Sequence, residues 1–347
     1  MPISAVDSIT PALEHTKQQL FKPFRIGQWT KLAFVGLLAG ELGGNGCNRS
    51  NFQFPHHAAA APHAVFPGSL GIDPALVAAL ITSAVIAALA VGMILMYIGS
   101  VMRFVLFDSV VTRECHIRWS WGRRLGPGWR YFVFKLLYSF LALAGVLVVA
   151  GIPLAVAFGA GWFKEPKEHL VPMVLGGAFL FLLLMIFAVA TAVILVLTKD
   201  FVIPQMALED IDVMEGWRRL WLMMKAETGA YVVYIVMKIV LAIVVGIMVG
   251  IAALILGLIF VVPTVGLGIL AFFTGKAAGL AWNFHTIALA AVIGCILLAI
   301  FLYLISLVYV PAIVFFPAYS IYFFAGRYPR LAAVLYPPSS TPQAPTG

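Results

Sequence analysis

Charged residues are scarce in this sequence: 14 acids and 22 bases make up 10% of 347 residues, while 63% are hydrophobic. A soluble domain carries about 25% charged side chains, so water is not the solvent around most of this surface. Cysteine is nearly absent as well. Cys47, Cys115 and Cys295 stand far apart, with neither metal-ligand spacing nor an even disulfide framework. No phosphate loop, dinucleotide fingerprint or H-E-x-x-H motif occurs, and Gly266-Leu267-Gly268 lacks the strand-to-helix context that would make it one. The apolar runs that begin at Pro74, Leu170 and Thr286 hold no charge at mid-depth, and Glu41 is the best-placed candidate for one. That argues against a proton-driven antiporter or a charged filter. It also argues against an intramembrane enzyme, which needs an acid or base near its reacting atoms. The expectation is therefore no catalytic residue, no cofactor and no metal.

Long apolar runs are abundant. A spanning helix needs about 20 apolar residues at 1.5 Å each. Pro74 to Val101, Tyr131 to Phe163, Leu170 to Thr198 and Tyr231 to Val262 all exceed this. Thr286 to Phe324 is longer than one simple span, and Pro311 and Pro317 are expected to kink it or carry it into the interface. Trp29 to Leu42 is a shorter sixth candidate, favoured as a short or tilted span, with a re-entrant segment or an interfacial helix as the alternatives. A cleaved signal peptide does not fit it, because a 31-residue mixed-charge region precedes the apolar stretch.

Lysine and arginine set the orientation. With six spans and the N-terminus inside, one side holds eighteen basic residues and the other only Arg49, Lys164, Lys167 and Lys276. The basic side is expected to be cytoplasmic, with both termini there. Lys135 and Lys238, just inside their apolar runs, are expected to snorkel to the headgroups. The net charge of +8 reads as membrane orientation and anionic-lipid contact, with no nucleic acid implied.

Between the spans, Asp212 to Glu227 is the best-defined short element. Asp212 and Glu215 have the spacing of a cap and its partner. Met214, Trp217, Leu220 or Trp221, and Met224 recur at helical spacing. This predicts a helix lying in the membrane interface. Anchoring alone accounts for that pattern. The functional reading is headgroup or partner contact by Arg123, Arg124, Trp217, Arg218, Arg219 and Lys225. His56, His57 and His63 lie in a polar loop without a supporting carboxylate, and read as loop residues in preference to a metal site. Gly246 and Gly250 form a G-x3-G step expected to pack helices within the chain, with a dimer face as the alternative. Gly36 and Gly40 repeat the step.

A weak threefold repeat runs through the chain. Gly27-Gln28-Trp29-Thr30-Lys31-Leu32 resembles Gly216-Trp217-Arg218-Arg219-Leu220, and Trp121-Gly122-Arg123-Arg124-Leu125 is a looser copy. Phe104-Val105-Leu106-Phe107 sits 97 residues before Phe201-Val202-Ile203-Pro204, with Pro311 to Pro317 as a third counterpart. The expected architecture is all-α and integral to the membrane: about six transmembrane helices as three hairpins, with cytoplasmic interfacial helices. The boundaries are a cytoplasmic arm 1–27, a membrane domain 28–326 with units of about 28–112, 113–208 and 209–326, and a disordered tail 327–347.

The segment Lys199-Asp200-Phe201-Val202-Ile203-Pro204-Gln205-Met206-Ala207-Leu208-Glu209, followed by Gly216-Trp217-Arg218-Arg219-Leu220, resembles a unit of bacterial multi-pass proteins related to the membrane domain of glycerophosphoryl diester phosphodiesterases. The resemblance covers roughly Phe21 to Leu331. It implies a six-helix membrane domain. The chemistry of the namesake enzymes sits in a separate soluble barrel, for which no stretch of this chain is long enough, so no catalytic residue carries over. The expected role is organising or accessory, with membrane lipids as partners and a homo-oligomer or protein partner left open. The alternative is a transporter or lipid-handling protein with a cavity between the hairpins. A cavity that reaches the midplane would separate the two.

Overall fold

The computed structural model describes residues 4–41, 74–162, 169–277, 279 and 283–336, and among them the chain is helical with no strand. Among the described residues, five helices are long and apolar enough to cross a membrane: α3 (Pro74–Thr112), α5 (Leu125–Gly159), α6 (Leu170–Leu197), α9 (Thr228–Ala277) and α10 (Phe284–Ala325). In their most apolar stretches at most 6% of the residues are buried. Such a surface suits acyl chains, because every backbone polar group is already bonded within its own helix. This is the build of a multi-pass membrane protein.

The shorter helices gather at one end. These are α1 (Ile9–Phe21), α2 (Ile26–Leu38), α4 (Ile117–Arg123), α7 (Ile203–Glu209), α8 (Val213–Ala226) and α11 (Pro329–Leu335). They pack with the C-terminal parts of α3 and α10, a π-helical turn at Thr198–Val202, and the first turns of α5 and α9. The result is a buried hub below the apolar stretches. Its centre is aromatic. Phe201 touches Tyr231, Tyr234, Phe323 and Phe324 with ring centroids 5.0–5.9 Å apart, and Tyr234 stacks on Tyr319 at 5.3 Å.

Above the hub the long helices associate in pairs. Tyr138 of α5 donates to the Thr191 carbonyl of α6 at 3.3 Å, and Phe260 of α9 stacks on Phe301 of α10 at 5.4 Å. α2 lies between α3 and α10. A Cβ on Gly36 would come within 2.6 Å of Ile313, and one on Gly99 within 2.7 Å of the Leu38 carbonyl oxygen, so both contacts need glycine.

Several expectations change here. α2 has 13 residues, about 20 Å. Its end meets Gly99, one third of the way along α3 from the C-terminus, so Trp29 to Leu42 is not among the helices long enough to span. α10 runs unbroken through Pro311 and Pro317 and buries its last turns in the hub. The tail boundary at 327 falls too early. Arg327, Tyr328 and α11 belong to the hub, with Leu331 fully buried. Asp212 takes the N-cap position of α8, but no side-chain cap bond forms. Glu215 instead turns to Arg218 and Arg219, and Asp212 pairs with Arg130 at 3.3 Å. A capping box does occur at Asn283 and Thr286, where α10 begins. Cys47 and the loop with His56, His57 and His63 lie outside the described residues, as does Pro337 to Gly347.

Candidate functional site

The hub's chemistry is a buried cluster of five charges. Gly40 takes a left-handed conformation (φ 78°), which is cheap only for glycine. That turn directs Glu41 back into the protein. Its Oε1 accepts from Arg103 of α3 at 2.9 Å and its Oε2 from Lys199 of the π-helical turn at 2.5 Å. Arg103 also donates to the Ala39 carbonyl. One residue beyond Lys199, Asp200 accepts from Tyr234 at 2.9 Å and from Lys238, both on α9. Four chain segments that are remote in sequence are thus tied by two carboxylates and three cations. Each charge has a partner, which is the condition for burying it.

A cavity of about 30 Å³ adjoins the cluster, lined by Glu41, Arg103, Lys199 and Asp200. That is room for about one water molecule. Its apolar wall includes Leu106 and Phe107 of α3, Ile203 and Pro204 of α7, and Pro317 of α10. Leu106 and Ile203 occupy matching places in the related Phe-Val-Leu-Phe and Phe-Val-Ile-Pro segments, and so do Phe107 and Pro204. A second space of about 40 Å³ lies between α9 and α10, against Glu41, Gly246 and Tyr309.

Further ion pairs close the rim. Arg124 grips Asp108 through two parallel bonds of 2.8 and 2.6 Å and donates to the Ala207 carbonyl at 2.6 Å. Glu209 accepts from Arg219 at 2.7 Å and from Tyr328. Arg327 donates to Glu227 at 2.8 Å and lies 4.1 Å over the Phe323 ring. In α1, His15 Nε2 donates to the Val110 carbonyl at 2.9 Å, so the neutral ring leaves Nδ1 to accept from Tyr322 at 3.1 Å. Burial, then the Arg113 charge, hold the His15 pKa below its ordinary value.

The six residues expected at headgroups separate into two groups. Arg123, Arg218 and Lys225 are exposed. Arg123 covers Trp119 at 5.1 Å and Lys225 covers Trp221 at 5.6 Å, and these tryptophans are 62% and 53% exposed. Arg218 also pairs with Glu215. Arg124, Arg219 and Trp217 turn inward. Arg124 is 8% exposed and held by Asp108; Arg219 is shared by Glu209 and Glu215; the Trp217 indole donates to Thr198 at 3.0 Å. On α8 the buried face is Val213, Gly216 and Leu220, while Met214 and Trp221 face outward. Among the described residues nothing lies within 4 Å of where a Cβ on Gly246 or Gly250 would stand, so neither makes a close helix crossing with them.

The charge cluster overturns the snorkelling expected of Lys238. Lys238 does not snorkel; it is 4% exposed and paired with Asp200. Arg103 and Lys199 look like helix-end flanks in the sequence, yet they converge on Glu41. One signal was available. Superimposing the two Phe-Val segments puts Arg103 on Asp200, residues of opposite charge at equivalent places.

The model of one protein family matches residues 3–334, and its description is "Family of unknown function (DUF7544)". The match takes in nearly the whole chain, which belongs to that family. It carries no link to the glycerophosphoryl diester phosphodiesterase membrane domain. No curated protein matches the chain, and no solved structure does.

Proposed function

We propose that this DUF7544 member is a non-enzymatic, multi-pass inner-membrane protein with an organising or accessory role, its hub and both termini on the cytoplasmic side. The observation that carries the reading is the closed hub. The spaces beside the charge cluster measure about 30 and 40 Å³, whereas a small-molecule site takes about 300–1,000 Å³. Paired charges with no room for a solute act as a lock between helices.

The orientation is supported by the hub end, which gathers Lys31, Arg103, Arg124, Lys199, Arg219, Lys238 and Arg327, while Lys276 stands at the opposite end of α9. Matching wall positions from α3 and α7 support three repeated hairpins around one axis, the first built on the short α2. This is also the architecture implied by the resemblance to the phosphodiesterase membrane domain. On the outside, α4 and α8 each present a tryptophan beneath a cation, the pairing found where protein meets headgroups.

Photo-crosslinking tests this role. A photoreactive residue in place of Leu222 or Met214, both exposed on α8, is expected to form lipid or partner-protein adducts in native membranes. Labelling by water alone at both positions counts against it.

A second reading has one specific observation behind it. Five charges inside the helical body are unusual, and such groups often mark an ion path. On that reading the protein is a transporter for a small ion, with the cavity at Glu41 as a step in the path.

A further inference from the structure

Lys31 of α2 and the stretch from Cys115 to Trp119, which leads into α4, line one open groove of about 590 Å³. Its floor is neutral. Cys115 is buried there, and burial raises its thiol pKa. Its rim is basic, with exposed Lys31 and Arg118 and the His116 ring. One acid stands nearby, Glu114, 3.7 Å from His116. Among the described residues no ion pair engages Lys31 or Arg118. Two cations that line the same groove are therefore available to an anion.

The surroundings say which kind of anion. One turn after Lys31, toward the apolar stretches, Phe34 is 50% exposed, and Leu37 is exposed a turn further on. Trp119 of the groove lining stands exposed under Arg123. Groove cations with exposed apolar side chains one and two turns further along α2 match a molecule that has a charged head and an acyl tail.

We infer that this groove binds the phosphate of an anionic phospholipid between Lys31 and Arg118, with an acyl chain along Phe34. The inference rests on the proposed placement of α4 at the headgroups. A free phosphate ester shares the head chemistry but has no use for the apolar side chains.

The test uses the purified full chain in neutral detergent, with lipid binding followed by native mass spectrometry and thermal shift. Phosphatidylglycerol is expected to bind saturably and phosphatidylcholine is not. Lys31→Gln and Arg118→Gln are each expected to weaken phosphatidylglycerol about fivefold, since each cation near an anionic surface contributes about 1 kcal/mol. Lys17→Gln on α1, exposed and away from the groove, is expected to leave that saturable binding unchanged. All these sites are exposed, and melting without lipid checks that the variants stay folded. Equal binding of both lipids, or an unchanged Lys31/Arg118 double variant, overturns the groove. Inorganic phosphate binding as tightly as the lipid overturns the lipid as ligand. If Arg218→Gln with Lys225→Gln on α8 weakens phosphatidylglycerol and the Lys31 and Arg118 variants do not, the groove falls and headgroup contact stands. If no variant has any effect, both fall.

Discussion

Glu41 and Lys199, 158 residues apart in sequence, meet at 2.5 Å, and the second oxygen of the same carboxylate holds Arg103 at 2.9 Å. One side chain thereby joins the end of α2 to α3 and to the turn after α6. Removing one partner of a buried pair costs about 3–5 kcal/mol, because the other charge is left in a poor solvent.

A double-mutant cycle measures this link. Glu41→Gln and Lys199→Gln are each expected to lower stability in detergent. The double variant should lose less than the sum by about 1–3 kcal/mol, as for residues in direct contact. Simple additivity would show that the two do not interact.

The glycines give a sharper contrast. Gly36→Ala would place a methyl 2.6 Å from Ile313 and is expected to cost about 1–3 kcal/mol. Gly246→Ala and Gly250→Ala meet nothing among the described residues within 4 Å and should leave the monomer's melting temperature unchanged or slightly raised. A loss at Gly250 as large as that at Gly36 would mean that the outer part of α9 is covered.

Acid should loosen α1. His15 is buried and neutral, with its folded pKa held below the ordinary histidine value of about 6.5 by burial and then by the Arg113 charge. The unfolded chain takes up the proton first, so this contribution is intact above pH 6.5 and is lost as the pH falls from 6.5 through the folded pKa. Melting of the wild type is expected to drop between pH 7.5 and 5.5 by more than that of His15→Gln. Parallel pH profiles would remove His15 as the cause.

The sequence made the long helices easy to see, because α3, α5, α6, α9 and α10 are continuous apolar runs whose burial needs no partner but lipid. The hub was harder to read. Arg103, Lys199 and Lys238 each sit near the end of an apolar run, where a snorkelling cation and a buried one have the same local pattern. What separates the two is a carboxylate brought from elsewhere, and Glu41 arrives only through the turn at Gly40. Likewise Arg123 and Arg124 are neighbours of one type. One covers an exposed tryptophan and the other is sealed against Asp108, a difference set by which side of the α4–α5 junction faces α3.

The central claim is that the charge cluster locks the hub closed. It is tested most directly by reconstituting wild type and Glu41→Gln in proteoliposomes, recording ion and proton flux beside the melting temperature. The lock predicts flux no higher than in empty vesicles for the wild type, and a large fall in melting temperature for Glu41→Gln. Wild-type flux that Glu41→Gln abolishes while the melting temperature stays put would contradict it and make the cluster a path.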